Sequence, residues 1–287
     1  MLKSIICIFL FFIPVLAEEY GYRESYTEKK ITYKDIGTLF ENQNVLILGE
    51  EHDDEDGHAE KKKLFEYLAT NFSPALSLEM FERDQQVYLD DYVAGILNDE
   101  QLIKETRVWP NFEKHYLPLL QIAKEKKLPI LASNAPRRYT RLVSRNGLKA
   151  LESIPVDSMR YLPPTYLIPA FSQVEYENKF NSLMGNHSGM NIKYMFMAQE
   201  LWDASMAHTI AECVSKKQMQ VVHINGRFHS DEGLGVTYRL RKSGMKVITI
   251  SMFNPDRLTK PISKNAKLAD ILYYSKTPVP KDESTEK

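Results

Sequence analysis

From residue 45 onward, short β-branched and apolar runs alternate with stretches whose apolar residues recur at helical spacing, and no other feature restricts the fold as much. A parallel sheet covered by helices on both faces has this pattern, because each strand must be followed by a crossover that brings the chain back to the same edge. Five strands are expected, at 45–49 (VLILG), 75–80 (ALSLEM), 129–134 (PILASN), 221–226 (VVHING) and 246–251 (KVITIS). VLIL lacks polar alternation, as a strand buried on both faces does. Between the strands, 58–70 carries Leu64, Phe65 and Leu68, and 85–97 carries Val87, Leu89, Tyr92 and Ile96, at the spacing of crossover helices. The longest helical pattern is 191–217, with Ile192, Phe196, Met206, Ile210 and Val214 on one side. The expected fold class is α/β, a mostly parallel central sheet flanked by helices.

With 287 residues, 43% of them hydrophobic, the chain has ample material for a core. Its charged residues are spread along the sequence and sum to −1, so no basic surface for nucleic-acid phosphates is expected. The first stretch, MLKSIICIFLFFIPVLA, joins an early lysine to an apolar run and small final residues, the layout of a secretory signal at 1–17. The run is shorter than the roughly 20 residues of a spanning helix, so no membrane-spanning segment is expected once the signal is removed. Export places the mature chain in the periplasm or cell envelope. Cys7 leaves with the signal, and Cys213 is then a lone thiol that reads as a small buried apolar residue.

Residues 18–275 are expected to form one domain. Within it, 153–190 interrupts the alternation with Pro155, Pro163, Pro164 and Pro169 beside Tyr161, Tyr166 and Tyr176, and reads as a helical, Tyr/Met-rich insertion or lid. The polar, proline-containing end at 276–287 reads as a disordered tail.

Ligands of open parallel sheets lie beyond the carboxyl ends of the strands. Here the first strand runs into Gly49-Glu50-Glu51-His52, the second ends at Glu79, the third at Asn134 with Arg137 beyond it, and the fourth runs into Gly226-Arg227-Phe228-His229. Imidazole and carboxylate together suit a divalent metal such as zinc, manganese or iron, with His52, His229, Glu50 and Glu79 as the ligand set, and a carboxylate beside bound water suits a general base. The acidic run 53–56 lacks the ligand spacing of a calcium loop and reads as the cap of the next helix. Gln199 and Asp203 fall on the apolar side of the long helix, so each needs a buried partner: a neighbouring strand end, or a site residue that it supports. The segment 159–206 is rich in Tyr and Met, and most of these residues fill core; a tyrosine or a histidine such as His187 facing a flat apolar surface also suits axial haem ligation.

The series LGEEHD (48–53), LEMFERD (78–84), SNAPRRY (133–139), NHSGM (186–190), AQELWDASMAHTI (198–210) and INGRFH (224–229) resembles the ChaN-like family, over most of the mature chain. The resemblance implies a fold related to the Tiki and erythromycin-esterase-like superfamily, haem binding tied to iron uptake, a homodimer, and tyrosine ligation of the haem. Tyr194 is the first expected ligand and Tyr166 the second. The wider superfamily implies a metal-dependent hydrolytic centre of two Gly-x-x-His motifs and a glutamate, here Glu50, His52, Glu79 and His229. ChaN relatives are often lipoproteins, whereas no cysteine stands at the expected cleavage point here, which leaves membrane association open.

Two functions remain open from the sequence. The first is an exported haem-binding protein of iron acquisition, with Tyr194, Tyr166 and His187 at the haem. The second is a metal-dependent esterase or peptidase, in which His52 and His229 hold the metal, Glu50 and Glu79 complete the shell or act as base, and Arg137 steadies developing negative charge.

Overall fold

The computed structural model describes residues 20–185, 191–257 and 267–276. All five expected strands form, and two short ones extend one edge of the sheet. In chain order they are β1 (Gly21–Glu24), β2 (Val45–Glu50), β3 (Ala75–Glu82), β4 (Ile130–Asn134), β5 (Val221–Gly226), β6 (Val247–Phe253) and β7 (Ile271–Tyr274). They lie side by side as β1-β7-β6-β2-β5-β3-β4. Neighbours from β7 to β4 are parallel, and β1 pairs antiparallel with β7.

The helices are α1 (Tyr33–Phe40), α2 (Glu55–Asn71), α3 (Gln86–Val93), α4 (Asp99–Glu105), α5 (Phe112–His115), α6 (Leu117–Glu125), α7 (Arg137–Asn146), α8 (Leu167–Ala170), α9 (Val174–Met184), α10 (Ile192–Lys217) and α11 (Gly235–Lys242). The acidic run does cap a helix: Asp54 accepts the Gly57 N–H at 3.2 Å at the start of α2.

Strand parity decides what each face of the sheet carries. Val45 and Ile47, Ala75, Val221 and Val247 face one way and pack with Met206, Ile210 and Val214 of α10 and with Val236 and Leu240 of α11. Leu46 and Leu48, Leu76 and Leu78, Val222 and Ile224 face the other way and pack with Leu64, Phe65 and Leu68 of α2 and with Leu119 and Leu120 of α6. Each of the Val, Leu, Ile, Phe and Met side chains contributes about 1.5–3 kcal/mol when fully buried. The same parity, carried to the strand ends, sends Glu79 toward α10 and Glu50 toward α2.

The segment from 153 is a packed wall. Ile154, Leu162 and Ile168 share a core with Tyr139 and Val143 of α7 and with Ala198, Leu201 and Ala204 of α10. Tyr176 and Phe180 of α9 pack with Phe196 and Leu234. Arg239, itself buried, donates to the carbonyls of Leu167 at 2.9 Å and Ile168 at 2.8 Å and so fastens α8 to α11. Cys213 is buried among the apolar residues of α10, as its position predicts. Among the described residues, no helix is long and apolar enough to cross a membrane. The expected signal at 1–17, His187, and residues 277–287 of the expected tail lie outside the described residues.

Candidate functional site

β2 and β5 are neighbours at the centre of the sheet, yet the chain leaves β2 for β3 on one side and β5 for β6 on the other. Loops part at such a switch point and open a crevice beyond the strand ends. His52, Glu79 and His229 stand in that crevice.

His52 lies two residues past β2. Its Nε2 is 2.7 Å from where a Cβ would sit on Gly226, so only a glycine leaves the ring its place. Behind the ring, Nδ1 meets Glu50 Oε1 at 3.1 Å. Glu50 is buried against α2 and α6, where Lys61 pairs with Oε2 and Tyr116 donates its hydroxyl to Oε1 at 2.5 Å. Burial alone would raise the Glu50 pKa, but the Lys61 ammonium and the bond to His52 outweigh it and hold the carboxyl at about 2. For His52, burial pulls the pKa down while Glu50 and Glu79 push it up further, and the net shift is upward. The His52 carbonyl is pinned by His58 Nε2 and Asn111 Nδ2, each at 3.0 Å. Burial, with the neighbouring Lys61, lowers His58 to about 4, so at neutral pH its Nδ1 accepts from Lys61 Nζ at 2.8 Å.

The second imidazole is held from the other face. His229 Nδ1 lies 2.5 Å from Oδ1 of Asp203, a fully buried carboxylate of α10. Its Nε2 faces Glu79 Oε1 at 3.6 Å, while Glu79 Oε2 accepts the Gly226 N–H at 2.6 Å. Burial disfavours the imidazolium, yet Glu79 and Asp203 overcome it and raise His229 to about 9. Gln199, one turn before Asp203, donates to the Tyr176 hydroxyl at 2.9 Å and lies 3.1 Å from His229 Nδ1. The two polar residues that the helical pattern turns inward thus both meet His229.

His52, Glu79 and His229 line one cavity of about 780 Å³, a volume typical of ligand sites. Phe180, Leu183 and Met184 of α9 and Met195, Ala198 and Trp202 of α10 make an apolar wall, Trp109 and Phe228 flank the imidazoles, and Arg107, Arg137 and Arg141 reach the rim. The floor presents Glu79 between two imidazoles, His229 and His52, each fixed from behind by an acid. That arrangement can exchange protons with a bound molecule or hold an anion.

Glu50 departs from expectation. Parity puts it on the α2 face, outside the cavity lining, where it orients His52 and neutralises Lys61. Among the described residues no group of three or more His, Cys, Asp or Glu side chains is arranged to hold a metal ion, so the expected divalent-metal set of His52, His229, Glu50 and Glu79 gains no support. For Glu50 the partners explain why: it is occupied by Lys61 and Tyr116 on the α2 side. Arg137 stands at the rim with Nε 3.8 Å from Glu82. Tyr194 is half-buried, its ring 3.0 Å from where a Cβ would sit on Gly147, and it does not line the cavity. Tyr166 is 71% exposed at the start of α8 and does not line the cavity.

The sequence reasoning missed Lys61, Tyr116 and His58 behind His52, and Trp202 and Arg141 in the cavity wall. Lys61 had a signal: it falls on the stripe of Leu64, Phe65 and Leu68, where a lysine must be buried and therefore paired.

The sequence model of a family described as haem-binding uptake, Tiki superfamily, ChaN matches residues 38–240. Among curated proteins, Protein RETICULATA-RELATED 5, chloroplastic, of Arabidopsis thaliana is 24% identical over 213 residues, covering 70% of this chain and 29% of that protein, so the chain spans under a third of its length. Among solved structures, one described as cofacial heme binding to ChaN of Campylobacter jejuni superposes with a TM-score of 0.69 at 17% identity, over 90% of this chain and 97% of that one. An erythromycin esterase in its open conformation superposes with a TM-score of 0.48 at 11% identity, over 81% of this chain and 76% of that one.

Proposed function

The chain belongs to the ChaN family of haem-binding uptake proteins in the Tiki superfamily, and from that premise we propose that it is an exported haem-binding protein of haem and iron acquisition. It acts in the periplasm or cell envelope, as a homodimer. The observation that carries the proposal is the cavity, whose broad apolar wall from α9 and α10 suits the faces of a macrocycle and whose arginine rim suits its two propionates. Haem, when bound, would supply an iron centre for these residues to hold. Tyr194 is the first ligand: it is half-buried and next in the chain to Met195 of the wall, though not itself part of the lining. Tyr166 is the second, free at the surface, and His187 the third. Val156, Tyr166 and Val174, all exposed in the insertion and outside the cavity lining, support a surface for a second copy.

A haemin titration of the mature protein followed in the Soret region tests the proposal. The expected result is a saturable shift, weakened about tenfold or more when an iron ligand is removed. No saturable shift, or one unchanged in Tyr194→Ala, Tyr166→Ala and His187→Ala, would overturn it.

One observation favours a second function. His52 backed by Glu50 and His229 backed by Asp203 flank Glu79, and two oriented imidazoles beside a carboxylate suit hydrolysis of an ester or peptide. Glu79 acts as base, His229 as acid, and Arg137 steadies the negative charge; the metal-dependent form of this chemistry needs His52 and His229 neutral. Ester and peptide libraries, assayed with elemental analysis of the same sample, test it: turnover lost in Glu79→Gln supports it, and no turnover removes it.

A further inference from the structure

Glu82 and Asp84, at the end of β3, gather arginines around the mouth of the cavity. Arg107 Nη2 lies 3.0 Å from Glu82 and 2.5 Å from Asp84, Arg138 pairs with Asp84, and Arg137 reaches Glu82 with its backbone N–H at 2.9 Å. Two carboxylates thus neutralise most of three cations. Arg141, one turn further along α7, lines the same cavity and is exposed, and no acidic side chain pairs with it among the described residues. Leu183, Met184, Met195 and Trp202 line the same cavity.

A guanidinium without a counter-charge, set in a concave and half-apolar rim, attracts a carboxylate more strongly than one on an open surface, because the apolar wall excludes competing water. The same wall offers dispersion and desolvation to a flat or extended hydrocarbon body. The neutralised arginines, by contrast, would have to give up Glu82 or Asp84 to bind an anion.

We infer that Arg141 is a carboxylate anchor that makes the cavity selective for ligands joining a broad apolar body to a free carboxylate. This rests on the haem-binding function only for the identity of the ligand, since a haem propionate and a fatty-acid head group present the same chemistry.

The test compares three probes, haemin, haemin dimethyl ester and palmitate, on the mature protein and on Arg141→Ala, Arg141→Lys and Arg145→Ala. Arg145 is exposed one turn beyond and outside the cavity lining, so its loss controls for net charge. Arg141→Ala is expected to weaken haemin by roughly three- to tenfold, most at low salt. The dimethyl ester binds the unaltered protein as weakly as haemin binds Arg141→Ala, and loses nothing further in that variant. Arg141→Lys restores part of the affinity, because it keeps the charge without the planar fork, and Arg145→Ala leaves binding unchanged. Equal losses for acid and ester, or no loss in Arg141→Ala, overturn the anchor. If haemin fails to bind while palmitate binds through Arg141, the anchor stands and the haem function falls; if neither binds, both fall.

Discussion

His229 Nδ1 and Asp203 Oδ1 are joined at 2.5 Å, and this bond between a 3₁₀ turn after β5 and the middle of α10 fixes both the direction and the charge of the cavity's deepest imidazole. With Nδ1 committed to Asp203, Nε2 faces Glu79.

Replacing Asp203 with Asn keeps a hydrogen-bond acceptor and removes the charge, so the His229 pKa is expected to fall from about 9, as read by NMR titration of the ring. The raised pKa has a stability consequence. His229 stabilises the fold fully below its ordinary value of 6.5, and that contribution, on the order of 3 kcal/mol, is lost as pH rises through about 9. Asp203→Asn should therefore flatten the fall in stability between these limits; an unaltered pH profile would show that Asp203 does not set the charge.

Lys61 and Glu50 form a buried pair in which the lone charge of either is costly. Lys61→Met leaves Glu50 without its cation and is expected to destabilise by about 3–5 kcal/mol in urea unfolding. Adding Glu50→Gln should recover part of that loss, because the two effects share one interaction. Additive losses would mean that the pair is not coupled.

Acid should unfold the protein in two steps. His58, held at about 4 against an ordinary 6.5, takes up a proton more readily unfolded, so stability declines as pH falls from 6.5 to 4. Glu50, held at about 2 against 4.5, contributes stability above 4.5 that is lost as pH falls toward 2. A His58→Gln variant should lose the first step and keep the second, in unfolding followed by circular dichroism.

Two glycines near the site should respond differently to alanine. At Gly226 the backbone is extended (φ −61°, ψ 135°), and the new methyl would meet only the movable His52 ring, so stability should change by about 1 kcal/mol while the His52 pKa drops as its bond to Glu50 loosens. At Gly235 φ is +54° and the methyl would sit 2.5 Å from the His229 carbonyl oxygen, so the loss should exceed about 2 kcal/mol. Equal losses at the two positions would contradict this geometry.

The five strands β2 to β6 were legible because buried parallel strands are largely apolar runs. The two short strands β1 and β7, side by side at one end of the sheet, were not, since four residues each, GYRE and ILYY, give no pattern that a loop could not share. His52, Glu79 and His229 were legible as polar residues at strand ends. The placing of Glu50 was not, because its face depends on where the strand begins to alternate, and VLILGE is buried throughout. Arg141 was hidden for another reason: RRYTRLVSRN marks a basic helix, and only the positions of Glu82 and Asp84, more than fifty residues earlier, distinguish Arg137 and Arg138, which they neutralise, from Arg141.

The chain's two tryptophans, Trp109 and Trp202, both line the cavity. Their indole N–H signals in a nitrogen-15 NMR spectrum therefore report directly on whether haem enters it. With haem in the cavity, paramagnetic haemin broadens both signals at one equivalent, and diamagnetic gallium protoporphyrin shifts both without broadening. If the Soret band saturates while both indole signals stay unchanged, haem binds elsewhere and the cavity is not its site.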